Sequence, residues 1–140
     1  MTFAAFERRW IDAILPSFLP EDGALTVAAD AVDYGAASDV MATHATRLAS
    51  LGLRAAVWLA ALAPVWMLGR AQTIDELSRP DRTVLLDRML AHRAYAIRGP
   101  ATLLKLNAVL ALLQSREVRA RTHYDRPAPS RRSLPLHAEG

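Results

Sequence analysis

The side chains equipped for chemistry in this 140-residue sequence are few: four histidines, a short run of carboxylates, and many arginines. His44, His92, His123 and His137 share no ligand spacing with one another or with a carboxylate. Neither a His-x3-His nor a Glu-x-x-His pair is present, so the helical two-metal patterns are excluded. Asp75, Glu76 and Asp81 look like clustered carboxylates, but their places after Thr73 and Ser78 read as helix starts, where a carboxylate complements the dipole. The six glycines are scattered and build no phosphate-cradling loop, and no strained serine turn is present. Without cysteine, thiolate nucleophiles, disulfides and thiolate-bound metals are excluded as well. These absences argue against an independent enzyme, and no catalytic residue, cofactor or metal site is assigned.

The arginines remain. Arg88, His92, Arg93 and Arg98 fall within three helical turns and offer planar, bidentate donors to a partner's carboxylates. They belong to a basic half: residues 79–140 carry eleven Arg and Lys105 against five acids, while residues 1–78 carry five Arg against nine acids. The net charge of +3 hides that asymmetry, which points to an acidic partner, a phosphate-bearing ligand or an anionic membrane face. Nucleic acid is not expected. The arginines are dispersed rather than gathered beside base-reading polar groups on one helical face, and the acidic first half repels phosphate.

The elements that must position these groups are helices. The composition is 52% hydrophobic, rich in Ala and Leu and poor in β-branched residues. Phe3, Phe6, Trp10, Ile14 and Phe18 recur at helical spacing after a Thr2 cap, with Glu7, Arg8, Arg9 and Asp12 on the polar side. Pro16 and Pro20 end that helix. A second, alanine-rich helix is expected from Thr26 or Val32 to Ala49, with a break at Ser50-Leu51-Gly52. A third follows, about Leu53–Leu68, bent at Pro64 and closed by Gly69 and Arg70. The fourth, Arg79–Arg98, turns Val84, Leu85, Met89, Ala96 and Ile97 inward. Gly99-Pro100 then starts a fifth, with Leu103, Leu104, Leu106, Val109, Leu110, Leu112 and Leu113 in a wide apolar band. Ser115 caps a last turn, 116–121. The expected architecture is all-α, an up-and-down bundle of four to five helices over residues 1–124, with the third and fifth at its centre. Residues 125–140 form an extended or disordered Pro/Arg-rich tail.

The third helix has a consequence for function. Ala55–Gly69 is fifteen residues without a charge. At 1.5 Å per residue it is about 22 Å long, short of a bilayer core of about 30 Å. No uncharged run reaches 18 residues, and Asp12, Pro16 and Pro20 spoil an export signal after Arg8-Arg9. A cytoplasmic chain, with membrane-surface association as an extension, is the expectation. A helix apolar on all sides must be covered on all sides. Trp58 and Trp66 therefore need a tightly packed bundle centre, a partner chain or a membrane surface to cover them, the core and the interface weighing equally.

The stretch Leu85–Arg98, then Leu103-Leu-Lys-Leu106 and Val118–Pro127, resembles a known pattern. It is similar to the helical segment preceding the flavin domain in long-chain-alcohol-oxidase-like members of the glucose–methanol–choline oxidoreductase family. It also resembles the small subunits of bacterial gluconate-dehydrogenase-type flavoproteins. Phe18-Leu19-Pro20 matches the end of that pattern's first helix, and Leu53–Leu68 its apolar helix. His123 stands where the pattern has Gly before Tyr-Asp, and the lack of cysteine excludes the iron–sulfur role of some exported small subunits. The resemblance implies a non-catalytic accessory subunit that binds a separately encoded FAD-dependent alcohol dehydrogenase or oxidase. FAD is expected in that large subunit, and this chain helps shape access for an apolar alcohol or sterol. The implied interface comprises Trp58, Trp66, Arg88, Arg93, Arg98, Tyr124, Asp125, Arg126 and Pro127, the last four in a tail wrapping the partner. The alternatives are a peripheral membrane protein, its apolar third helix lying in the interface, and a helical nucleic-acid-binding regulator.

Overall fold

The computed structural model describes residues 2–20 and 32–116. Within them the chain is all-α: α1 (Ala5–Ile14), α2 (Tyr34–His44), α3 (Arg47–Ala61), α4 (Ala63–Leu68), α5 (Arg79–Leu90) and α6 (Tyr95–Gln114), with single 3-10 turns at Pro16–Phe18 and Ile74–Glu76. The helical bundle expected from the sequence is present, and the two most apolar stretches, α3 and α6, share its most extensive contact. α1 and α2 pack on α3, and α2 and α5 on α6. Ile11, Ile14, Leu15, Val57, Ile74, Leu85, Leu86, Met89 and Leu104 fill the centre.

Short polar residues set the helix starts. Asp33 caps α2, accepting from the Ala36 amide at 2.8 Å; Thr46 caps α3 and Ser78 caps α5, each accepting at 3.3 Å. Thr73 and Glu76 form the expected reciprocal start, with the Glu76 carboxylate accepting from the Thr73 amide at 2.9 Å, but only one 3-10 turn follows. Gly69 ends α4 at φ 64°, the left-handed closure a glycine takes without steric cost.

Several boundaries differ from expectation. α1 starts after Ala4 rather than Thr2, because the Glu7 carboxylate accepts from the Ala4 amide at 2.8 Å and supplies the cap. α2 stops at His44, five residues early. Thr46 restarts the chain as α3, and Ser50, far from breaking a helix, donates its hydroxyl to the Ala42 carbonyl at 2.7 Å and ties the two together. The interruption assigned to Pro64 falls at Leu62; Pro64 sits in the first turn of α4, where its missing N–H costs nothing. α5 ends at Leu90, and α6 begins at Tyr95, running through Pro100 instead of starting there. That first turn of α6 is held from outside the ladder: Arg98 donates to the His92 carbonyl at 3.4 Å and stacks 5.9 Å from the Tyr95 ring. Val84, expected inward, is exposed, while Leu86, expected nowhere in particular, is fully buried. The turn expected over 116–121 and the tail 125–140 lie outside the described residues, apart from Arg116.

Candidate interaction surface

The outward edge of α3 carries Leu48, Leu51, Ala55, Trp58 and Leu62, spaced alternately three and four residues apart so that they form one stripe. All five are exposed, as are Val65 and Trp66 where the stripe passes into α4. Between Asp39 and Asp75 the sequence holds no acidic residue, and the one carboxylate shown against the stripe, Glu7, is buried under Trp58. α3 spends its opposite side on the core, through Leu53, Ala56, Val57, Ala60 and Ala61. Alanines there bring α6 close, and the large side chains are left outside.

Trp58 is 40% exposed and Trp66 41%, so neither indole is absorbed into the core. They are held differently. Trp58 stands edge-to-face against Trp10 (5.0 Å between centroids) and Phe6 (5.8 Å), with Phe6 and Trp10 also in contact at 5.2 Å. Its Nε1 donates to Glu7 Oε1 at 2.8 Å. Trp66 has one polar tie, Nε1 to the Leu59 carbonyl at 3.3 Å, and no ring neighbour of this kind among the described residues. The half-exposed cluster Phe6–Trp10–Trp58 thus extends the α3 stripe onto α1.

Glu7 is the residue that sequence reasoning placed wrongly. Assigned to the polar side of α1, it is 1% exposed. Its two oxygens accept Arg54 Nε and Nη2, both at 2.6 Å, in addition to the Trp58 indole and the Ala4 amide. Burial opposes its charge, but the Arg54 hydrogen bonds outweigh that and, with the other donors, hold the carboxyl at about 2. Arg54 also lies 5.9 Å from the Phe3 ring. Arg54 and Trp58 stand one helical turn apart on α3, so their donors converge on the same carboxylate, but only the fold brings that pair to the start of α1.

The arginine group separates. Arg88 reaches a cavity of about 150 Å³ with Leu68, Arg70, Asp81, Val84 and Leu85. Arg93 and Arg98 are exposed and are not among its walls; Arg98 is occupied at the start of α6. Arg70, which no sequence pattern singles out, shares the cavity walls with Arg88, and Asp81 adds a carboxylate to them. His92 Nδ1 accepts from the Ala94 amide at 3.1 Å and shapes the α5–α6 link. Tyr124, Asp125, Arg126 and Pro127 lie outside the described residues.

Among the described residues no three His, Asp or Glu side chains converge as a metal site. One helix there, α6, is long and apolar enough to cross a membrane by length and composition, with a third of its apolar window buried in the bundle. Counting uncharged runs passed over it, because Arg98 and Lys105 interrupt the run without making the helix polar. What the surface offers is a laterally extended aromatic and aliphatic stripe, stiffened at Trp58 and bordered by cations. Compared with protein-family models, curated proteins and solved structures, the chain matches none.

Proposed function

We propose that this protein is a non-catalytic accessory subunit whose α1–α3–α4 stripe docks on a larger flavoprotein. The observation that carries the docking is the exposed stripe itself: Phe6, Leu48, Leu51, Trp58, Leu62, Val65 and Trp66 stay outside although the core beneath them is filled. Obligate interfaces of about 2,000–5,000 Å² are apolar enough to cover such a surface. Trp and Arg are the residue types that most often anchor them. Trp58, locked by three polar and aromatic neighbours, loses little freedom on binding, which favours a rigid anchor. Arg70 and Arg88, which line one cavity with a single carboxylate, Asp81, and form no ion pair among the described residues, suit a further carboxylate from a partner.

The choice of partner rests on the sequence resemblance: an FAD-dependent alcohol dehydrogenase or oxidase of the glucose–methanol–choline type, with the flavin in that chain. The test is co-expression with a flavoprotein of that type encoded beside this one. A yellow complex that survives size-exclusion chromatography, and that Trp66→Ala weakens at least tenfold, is the expected result. A flavoprotein that elutes alone, beside a soluble monomer of this chain, overturns the proposal.

A further inference from the structure

We propose that the outward face of α6 docks on an anionic lipid bilayer, with the helix lying along the surface rather than across it. α6 covers Tyr95–Gln114, about 30 Å at 1.5 Å per residue. Its inner side is taken by Ala101, Leu104, Asn107, Ala108, Ala111 and Leu112. On the other side Leu103, Leu106, Val109 and Leu110 are exposed and, at 100° per residue, fall within one band about 120° wide. Tyr95, 77% exposed, continues the band at its N-terminal end. Its ring lies along the helix above Gly99, where a Cβ would stand 3.3 Å from it.

Charge decides what covers this band. From Arg88 to Arg116 the sequence holds no acid, while Arg88, Arg93, Arg98, Lys105 and Arg116 are all exposed. Arg98 and Lys105 lie along one margin of the aliphatic band, where long stems can follow the apolar surface and put their charges at headgroup level. Apart from Tyr95 at its end, the band is aliphatic: its middle has no aromatic anchor and no free directional donor, since the Thr102 hydroxyl is turned back onto the Arg98 carbonyl at 2.9 Å. A protein partner exploits such anchors, as the α3 stripe provides them. Fluid acyl chains need none, and an amphipathic helix with cations beside its apolar face is the usual interfacial binder. Crossing the membrane is disfavoured by the fold: the inner side of α6 is packed in the bundle, and Asn107 on it donates to Ser38 Oγ at 3.0 Å.

Flotation of the full chain with vesicles tests this assignment. Vesicles of mixed phosphatidylglycerol and phosphatidylcholine should carry the protein upward, and pure phosphatidylcholine vesicles should not. Leu106→Glu with Leu110→Glu should lower the bound fraction at least tenfold at unchanged helicity by circular dichroism. The arginines from Arg116 to Arg132 attract anionic lipid by charge alone and are all kept in that variant. Undiminished binding by it therefore overturns the assignment to α6. Lys105→Glu leaves the band intact and should cut binding severalfold; no change overturns the role of the cationic margin, and covers the case in which the double variant misfolds. No flotation of the wild type, equal flotation on neutral vesicles, or a dimer that the double variant converts to monomer each overturns the proposal.

Discussion

The Glu7 carboxylate receives both arms of the Arg54 guanidinium, Nε on Oε1 and Nη2 on Oε2, at 2.6 Å each. With the Ala4 amide and the Trp58 indole, four donors converge on one buried anion. A charge taken out of water is tolerable only when its lone pairs are filled in this way. Removing it is correspondingly costly. Glu7→Gln preserves shape but leaves Arg54 facing a neutral amide that cannot accept both its arms, and should lower stability by about 2–4 kcal/mol. Urea unfolding should show an earlier midpoint with an unchanged slope.

The same carboxyl sets an acid limit. Its value falls from 4.5 to about 2 on folding, with the Arg54 hydrogen bonds the largest cause. A depressed acid stabilises the fold in full above its unfolded value and loses that contribution as pH falls through the folded one. Stability should therefore be flat in this group above about pH 5.5 and decline between about pH 4.5 and pH 2. Thermal unfolding followed over that range checks it, and Glu7→Gln should show a shallower decline than the wild type.

The helical class, the central pairing of α3 and α6, and the closure at Gly69 were legible because each rests on a local cause: apolar periodicity, alanine-rich contact faces, a residue tolerant of positive φ. Glu7 was not, since its partners lie 47 and 51 positions away and no local pattern distinguishes a buried carboxylate from a solvated one. The α5–α6 boundary failed for a related reason. Gly99-Pro100 is a strong local stop, yet Arg98 and Tyr95 stabilise a turn ahead of it. For Trp58 and Trp66 the excess of apolar surface on the third helix left core and interface equally open, and only the packing of alanines against α6 leaves both indoles outside. Val84 was placed inward and Leu86 left unassigned because the apolar stripe of α5 is too narrow to orient the helix from sequence alone.

Gly69 permits a direct check of the α4 ending. Its φ is 64°, and a Cβ built there meets nothing within 4 Å. Gly69→Ala thus probes backbone preference alone, and should cost about 1 kcal/mol, the penalty an L-residue incurs in the left-handed region. A lower melting temperature with unchanged helicity is the expected readout.

Trp58 and Trp66 should separate stability from binding. Trp58→Ala strips two ring contacts and one donor from Glu7, and should destabilise the isolated chain by about 3 kcal/mol or more. Trp66→Ala removes an exposed indole with one long hydrogen bond, and should cost less than about 1 kcal/mol. If the α3–α4 stripe is an interface, the second variant nevertheless weakens the complex more than it weakens the fold. Calorimetric melting of the free chain and co-elution of the complex give the two numbers.

α2 and α6 meet across a polar pair sealed in the core: Asn107 Nδ2 donates to Ser38 Oγ at 3.0 Å, and Asn107 Oδ1 has no partner among the described residues. Both residues are buried, at 1% and 0% exposure. Asn107→Ala alone opens a gap and strands the serine hydroxyl, so it should cost about 1–3 kcal/mol. Ser38→Ala with Asn107→Leu removes both polar groups and the orphaned oxygen together, and should be neutral or stabilising by up to about 2 kcal/mol. Non-additivity between the single and double variants, measured by urea unfolding, reads the coupling of the pair. A double variant that gains stability but elutes as more than one species identifies the pair as a register device for two alanine-lined helices. A double variant that loses more than about 1 kcal/mol means the α2–α6 contact is too close for leucine, and that asparagine is there for its size.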